Sequence, residues 1–204
     1  VIPTDGGTER QLTSGNFHHR GKLTWTRDGK FIVFSANRID DWEYETLEGD
    51  LWQVKVQDGK LTQLTTAEGD EFSPEFSADG KKLAYLSTSN ALNPYRNAKL
   101  NIMDWRSKKS SLVANDFDRS IRNPQWISSS SLAFFYDDFG KRKVATVSTK
   151  GKIKDLTDTL SGTSLGRPYI SGGFNASKSG TIAFTHGTPN RPANVALVST
   201  RGKL

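Results

Sequence analysis

Leu23 to Arg38 reads LTWTRDGKFIVFSANR, and the stretch returns three times: PEFSADGKKLAYLSTS from Pro74 to Ser89, PQWISSSSLAFFYDD from Pro124 to Asp138, and FNASKSGTIAFTHG from Phe174 to Gly187. Trp25, Phe76, Trp126 and Phe174 mark the same point in each copy. A period of about 50 residues is the signature of an array of small, stacked supersecondary units.

Each copy divides alike. A short strand ends in the aromatic, as in Leu23-Thr24-Trp25, and a tight turn follows at Asp28-Gly29 or Asp79-Gly80. Asp-Gly suits a two-residue type I′ hairpin, whose central positions both need positive φ. Next comes an apolar strand: Phe31-Ile32-Val33-Phe34, Leu83-Ala84-Tyr85-Leu86, Leu132-Ala133-Phe134-Phe135 or Ile182-Ala183-Phe184. Such continuous hydrophobicity implies burial on both faces. After a variable loop a third strand runs through Leu51-Trp52-Gln53-Val54, Leu100-Asn101-Ile102-Met103, Val144-Ala145-Thr146-Val147 or Val195-Ala196-Leu197-Val198. The unit closes with Leu61-Thr62-Gln63-Leu64-Thr65 or Ile153-Lys154-Asp155-Leu156-Thr157.

Four antiparallel strands per unit describe a propeller blade, so the fold class is all-β. The expected division is a partial β-propeller over 1–204: the tail of a preceding blade at 1–13, then blades at 14–65, 66–113, 114–157 and 158–204, the last without its outermost strand. Trp25, Phe34, Phe76, Tyr85, Trp126 and Phe134 should be buried between blades. An arc of four blades leaves two apolar faces uncovered, which predicts self-association.

The composition narrows the function. The net charge is +6, but Lys30, Lys60, Lys81, Lys82, Lys150 and Lys152 lie singly or in pairs beside turns. They read as soluble turn residues and edge gatekeepers rather than as a nucleic-acid face. No stretch approaches the roughly 18 apolar residues of a membrane helix. Cys is absent, which fits the cytoplasm and the periplasm equally. No cofactor motif is present. Acidic residues stop at Asp158, an asymmetry without a functional explanation.

Three features resemble the propeller of the prolyl oligopeptidase family of serine peptidases, in its acylaminoacyl-peptidase and dipeptidyl-peptidase branch. One is Arg10-Gln11-Leu12-Thr13-Ser14-Gly15 followed by Trp25 to Phe34, a pair shared with the periplasmic propeller of the Tol system. The others are Phe117-Asp118-Arg119-Ser120 leading to Asn123-Pro124-Gln125-Trp126, and Thr188-Pro189-Asn190-Arg191-Pro192-Ala193. The resemblance implies a seven- or eight-bladed propeller capping a C-terminal α/β-hydrolase domain that carries the Ser-Asp-His triad. That domain is the expected partner, with short peptides as substrates, and Val1 to Leu204 reads as the middle and end of the propeller. A Tol-like propeller that binds proteins without catalysis is the alternative.

No catalytic residue is expected within the chain. Gly162-Thr163-Ser164-Leu165-Gly166 spells a nucleophile elbow, but no Asp or Glu follows Ser164, so a Ser…Asp…His order is impossible here. His18, His19 and His186 do not make a chelating set, and no metal is expected. The segment that invites a binding role is Asn37 to Gly49, NRIDDWEYETLEG. Asp40, Asp41, Glu43 and Glu45 alternate there with Trp42 and Tyr44, between the second and third strands of the first complete unit. Tyr95 and Arg96 fall at the same place in the next unit. Some dipeptidyl peptidases of the family hold the substrate's free amino group with propeller carboxylates, so the resemblance makes these residues candidates for peptide capture or for contact with the hydrolase domain. A solvated acidic loop is the third reading.

Overall fold

The computed structural model describes the chain except residues 91–94, 163–171 and 201–204. The described residues form fifteen strands and no helix. β1 (His18–Trp25), β2 (Phe31–Asn37), β3 (Asp50–Lys55) and β4 (Leu61–Gln63) make the first sheet. β5 (Asp70–Phe76), β6 (Lys82–Thr88), β7 (Lys99–Asp104) and β8 (Ser110–Val113) make the second. β9 (Arg122–Ser128), β10 (Ser131–Asp138), β11 (Lys141–Ser148) and β12 (Ile153–Thr157) make the third. β13 (Phe174–Ala176), β14 (Thr181–Thr188) and β15 (Arg191–Ser199) make the fourth. Every sheet is an antiparallel meander, the form of a propeller blade.

The second strands show why the blades stack. Successive side chains of a strand point to opposite faces. Leu83 and Tyr85 of β6 join Val33, Leu51 and Met103 in the core between the first two sheets. Ala84 and Leu86 of the same strand join Trp126, Leu132 and Phe134 between the second and third. Ala133 and Val144 meet Phe174, Ile182 and Phe184 between the third and fourth. Each central strand is thus apolar on both faces because it serves two cores.

Polar staples reinforce the seams on the innermost strands. Glu75 on β5 bonds Trp126 on β9, and Gln125 on β9 bonds the backbone of Phe174 and Ala176 on β13. The bulges just upstream of Glu75 and Gln125 carry left-handed residues, Ser73 at φ 55° and Asn123 at φ 48°. A bulge re-aims the strand that follows it.

Two expectations need correction. Phe34, Tyr85, Trp126 and Phe134 are buried and Phe76 is half-buried, but Trp25 is 50% exposed and neighbouring Leu23 is 62% exposed. Their face of the first sheet carries a fourth apolar cluster of Ile32, Phe34, Ala36 and Val54, packed by Leu12 and Trp52. Residues 1–13 form no strand, and a groove of about 640 Å³ remains between them and Trp25. Trp25 lacks the neighbouring sheet that covers Trp126.

The Asp-Gly turns are not two-residue type I′ hairpins. Gly29 and Gly80 have positive φ (69° and 71°), whereas Asp28 and Asp79 do not. The Gly29 amide bonds the Thr26 carbonyl at 2.9 Å, and the strands re-pair only between Thr26 and Phe31. This is a longer loop built on an ordinary turn, closed by a left-handed glycine. The side chains decide it: Thr26 Oγ1 donates to Asp28 Oδ1 at 2.7 Å, and the same carboxylate oxygen accepts from the Lys30 amide. Ser77 and Asp79 repeat the arrangement in the second sheet.

Candidate functional site

Antiparallel strands alternate in direction, so the loop between the second and third strands of a sheet emerges beside the connector to the next sheet. Side-chain contacts agree. Glu48 accepts from the Gly69 amide at 3.1 Å and from Asn90 Nδ2 at 3.0 Å. Asn97 Nδ2 bonds Asp118 Oδ1 at 3.0 Å, and Arg119 Nε bonds Asp138 Oδ1 at 3.0 Å. One face of the arc therefore carries the acidic loop, Tyr95, Arg96 and the inter-sheet connectors.

The acidic loop has a defined fold. The amides of Tyr44 and Glu45 bond the Asp41 carbonyl at 2.9 and 3.0 Å, forming a helical turn. Asn37 Nδ2 on β2 clamps the Glu45 carbonyl at 2.6 Å. Trp42 is half-buried and lies 4.5 Å from the His18 ring, so it anchors the loop to the sheet edge. Asp40, Asp41, Glu43, Tyr44 and Glu45 are all exposed, Tyr44 by 86%. Tyr95 is 90% exposed, while Arg96 is half-buried and donates to the Ser89 carbonyl at 3.0 Å. The partly buried carboxylates at this end of the loop are instead Glu48 and Asp50, and burial pushes the Asp50 pKa up despite hydrogen bonds from Gln63 and Thr65.

Phe139 was not singled out in the sequence, and it belongs to this face. It occupies the tip between β10 and β11, the position equivalent to Tyr44 and Tyr95, and is 91% exposed. Asp138 pairs with Lys141, leaving Phe139 and Gly140 as a two-residue loop, both left-handed at φ 45° and 76°. This is the type I′ geometry expected at Asp28-Gly29. A bulky residue there is strained, and strain retained on an exposed side chain is a pointer to function. The sequence signal was an aromatic directly before Gly between two alternating strands. Arg119 lies 5.5 Å from the Phe139 ring.

The histidines are engaged in local contacts. His19 Nε2 lies 2.7 Å from Arg38 Nη1, and burial first, then the Arg38 charge, lower its pKa. His186 Nδ1 bonds Thr159 Oγ1 at 2.8 Å. Among the described residues no three His, Asp or Glu converge as metal ligands. Ser164 and the rest of its Gly-flanked motif after Gly162 lie outside the described residues.

Residues 1–95 match the family model of the dipeptidyl peptidase IV (DPP IV) N-terminal region. That match covers just under half of the chain, and the fold it accompanies is a partial β-propeller. Over 138 residues it is 27% identical to the Probable dipeptidyl-peptidase 5 of Emericella nidulans, covering 63% of this chain and 19% of that protein. Over 61 residues it is 36% identical to the Tol-Pal system protein TolB of Francisella tularensis, covering 30% of this chain and 12% of the relative. The fold superimposes on the crystal structure of puromycin hydrolase with a TM-score of 0.75 at 16% identity, over 98% of this chain and 32% of that one. The matched stretch spans less than a third of each of these three proteins.

Proposed function

We propose that the chain is the propeller part of a serine peptidase, that it caps a hydrolase active site, and that it admits and positions short peptides. The acyl-enzyme chemistry would reside in a partner α/β-hydrolase domain of the same protein. The carrying observation is the match of residues 1–95 to the dipeptidyl peptidase N-terminal region, a stretch that includes the whole acidic aromatic loop. Asp40, Asp41, Glu43 and Glu45 would attract a peptide's ammonium terminus, and Trp42, Tyr44, Tyr95, Arg96 and Phe139 would form the rest of the contact face.

The exposure of these carboxylates bears on the strength of that role. An exposed ion pair contributes little in water, whereas a pair enclosed by a second domain is far stronger. Capture by this loop therefore requires a domain seated over it. The test is steady-state kinetics of the full-length protein on paired peptides with free and acetylated amino termini. Amide substitutions at the four carboxylates should raise KM for the free form tenfold or more and leave the acetylated form nearly unchanged. Equal effects on both would assign the loop to domain packing, and no effect would assign it to solvent.

A Tol-like protein-binding propeller is the second reading, favoured by the 36% identity to TolB over 61 residues. In that case the full-length protein would show no peptide hydrolysis, and substitutions at Tyr44, Tyr95 and Phe139 would weaken binding of a protein partner.

A further inference from the structure

The seam between the first two sheets contains a charge-bearing group that no contact above explains. Glu71 on β5 is 3% exposed, and its Oε2 has no hydrogen-bond partner. Its backbone ties the sheets together: its amide donates to the Gly49 carbonyl at 2.6 Å, and its carbonyl accepts from Ser35 Oγ at 2.6 Å. The side chains that act on its carboxyl are one hydroxyl and further acids. The first sheet contributes Asp50, with Glu48 beyond it, and the Thr65 hydroxyl, whose hydrogen bond to the Glu71 carboxyl favours the ionised form and partly offsets the acids. The second contributes Asp70 and the Tyr85 phenol. No cation is among the groups acting on the Glu71 carboxyl.

We propose that Glu71 is a proton-dependent latch between the first and second sheets, closing the seam when protonated and loosening it when ionised. A buried carboxylate without a cation is costly, and neighbouring acids raise the cost. The protonated form removes the charge and gains an O–H donor amid oxygen acceptors. The lone oxygen then has a use that a permanently ionised group would not give it.

The sign follows from the two states. Burial, which outweighs the hydrogen bond from Thr65 and is reinforced by Asp50 and Asp70, pushes the Glu71 pKa up to about 7 in the closed seam. In an open seam it returns to the ordinary value of about 4.3. Closure is therefore fully favoured below about pH 4.3, weakens as pH rises towards 7, and levels off above it. The seam tightens on acidification.

The test is hydrogen exchange of the Glu71 amide, corrected for intrinsic rate, in the full chain from pH 5 to pH 8. Wild-type protection should fall by roughly a hundredfold across that range, the proton-linked difference between the two pKa values. Glu71→Gln, neutral and of the same shape, should hold its protection constant. Asp50→Asn keeps Glu71 but removes a facing charge, so its loss should be several-fold smaller than wild type. The same fall in Glu71→Gln as in wild type, or no fall in wild type, overturns the proposal. If Glu71→Gln does not fold, an unchanged fall in Asp50→Asn overturns it.

Discussion

Glu75 holds Trp126 twice across the seam between the second and third sheets: its Oε1 accepts from the Trp126 amide at 3.1 Å, and its carbonyl accepts from the indole Nε1 at 2.9 Å. Gln125, one repeat later, accepts from the Ala176 amide at 2.8 Å and donates to the Phe174 carbonyl at 3.2 Å. The residue before the marker aromatic therefore staples one blade to the next. In the fourth sheet Ala176, opposite Ile182, stands where Trp126 stands opposite Leu132, so Thr24 and Asn175 occupy the staple position in the first and fourth sheets.

Glu75→Ala should destabilise the protein by about 1–3 kcal/mol, because the part-buried Trp126 amide loses its acceptor. Glu75→Gln should recover most of that, since Gln125 already does the same work. The Lys22–Glu75 ion pair is partly exposed and should contribute little. Urea denaturation of the three proteins checks the order.

Trp126→Ala should cost about 3–5 kcal/mol, the usual range for emptying a buried aromatic site. Trp25→Ala should cost much less in this chain, because half of the ring already faces water. Comparable losses in thermal unfolding would mean that a neighbour covers Trp25 in solution.

Leu23 and Trp25 at one end of the arc, and Val195 and Leu197 at the other, are exposed apolar side chains. Light scattering should find concentration-dependent association of the chain, reduced by Leu23→Lys or Val195→Lys. A monodisperse monomer insensitive to both changes would contradict this.

Phe139→Asn should stabilise the protein by about 0.5–1 kcal/mol, since Asn accepts the left-handed conformation that Phe resists. If Phe139 contacts a partner, the same change should weaken that contact. A gain in thermal stability accompanied by loss of partner binding or activity is the expected pair of results.

The blades were legible because the 50-residue period and the apolar second strands state their own packing: Leu83, Ala84, Tyr85 and Leu86 must serve two cores. The exposure of Trp25 was not legible, since its sequence matches that of Trp126 and the difference lies in what stands beside it. The turn type was misread at Asp28-Gly29 because Thr26 and Ser77 were passed over, and their hydroxyls decide the loop. Phe139 was hidden by the opposite error, an unfavourable residue in a favourable turn. Glu71 reads as one more acid in an alternating strand, and only the packing of two sheets exposes its isolation. The acidic loop was found from Trp42, Tyr44 and their carboxylates, but its exposure depends on the turn at Asp41 and the Asn37 clamp.

The peptidase reading is tested most directly by fluorophosphonate labelling of the full-length protein and of this 204-residue chain, with the modified serine located by mass spectrometry. The expected result is stoichiometric labelling of the full-length protein at a serine outside residues 1–204, and none of the isolated chain. Labelling of Ser164, or a full-length protein that neither reacts nor hydrolyses peptides, would contradict it.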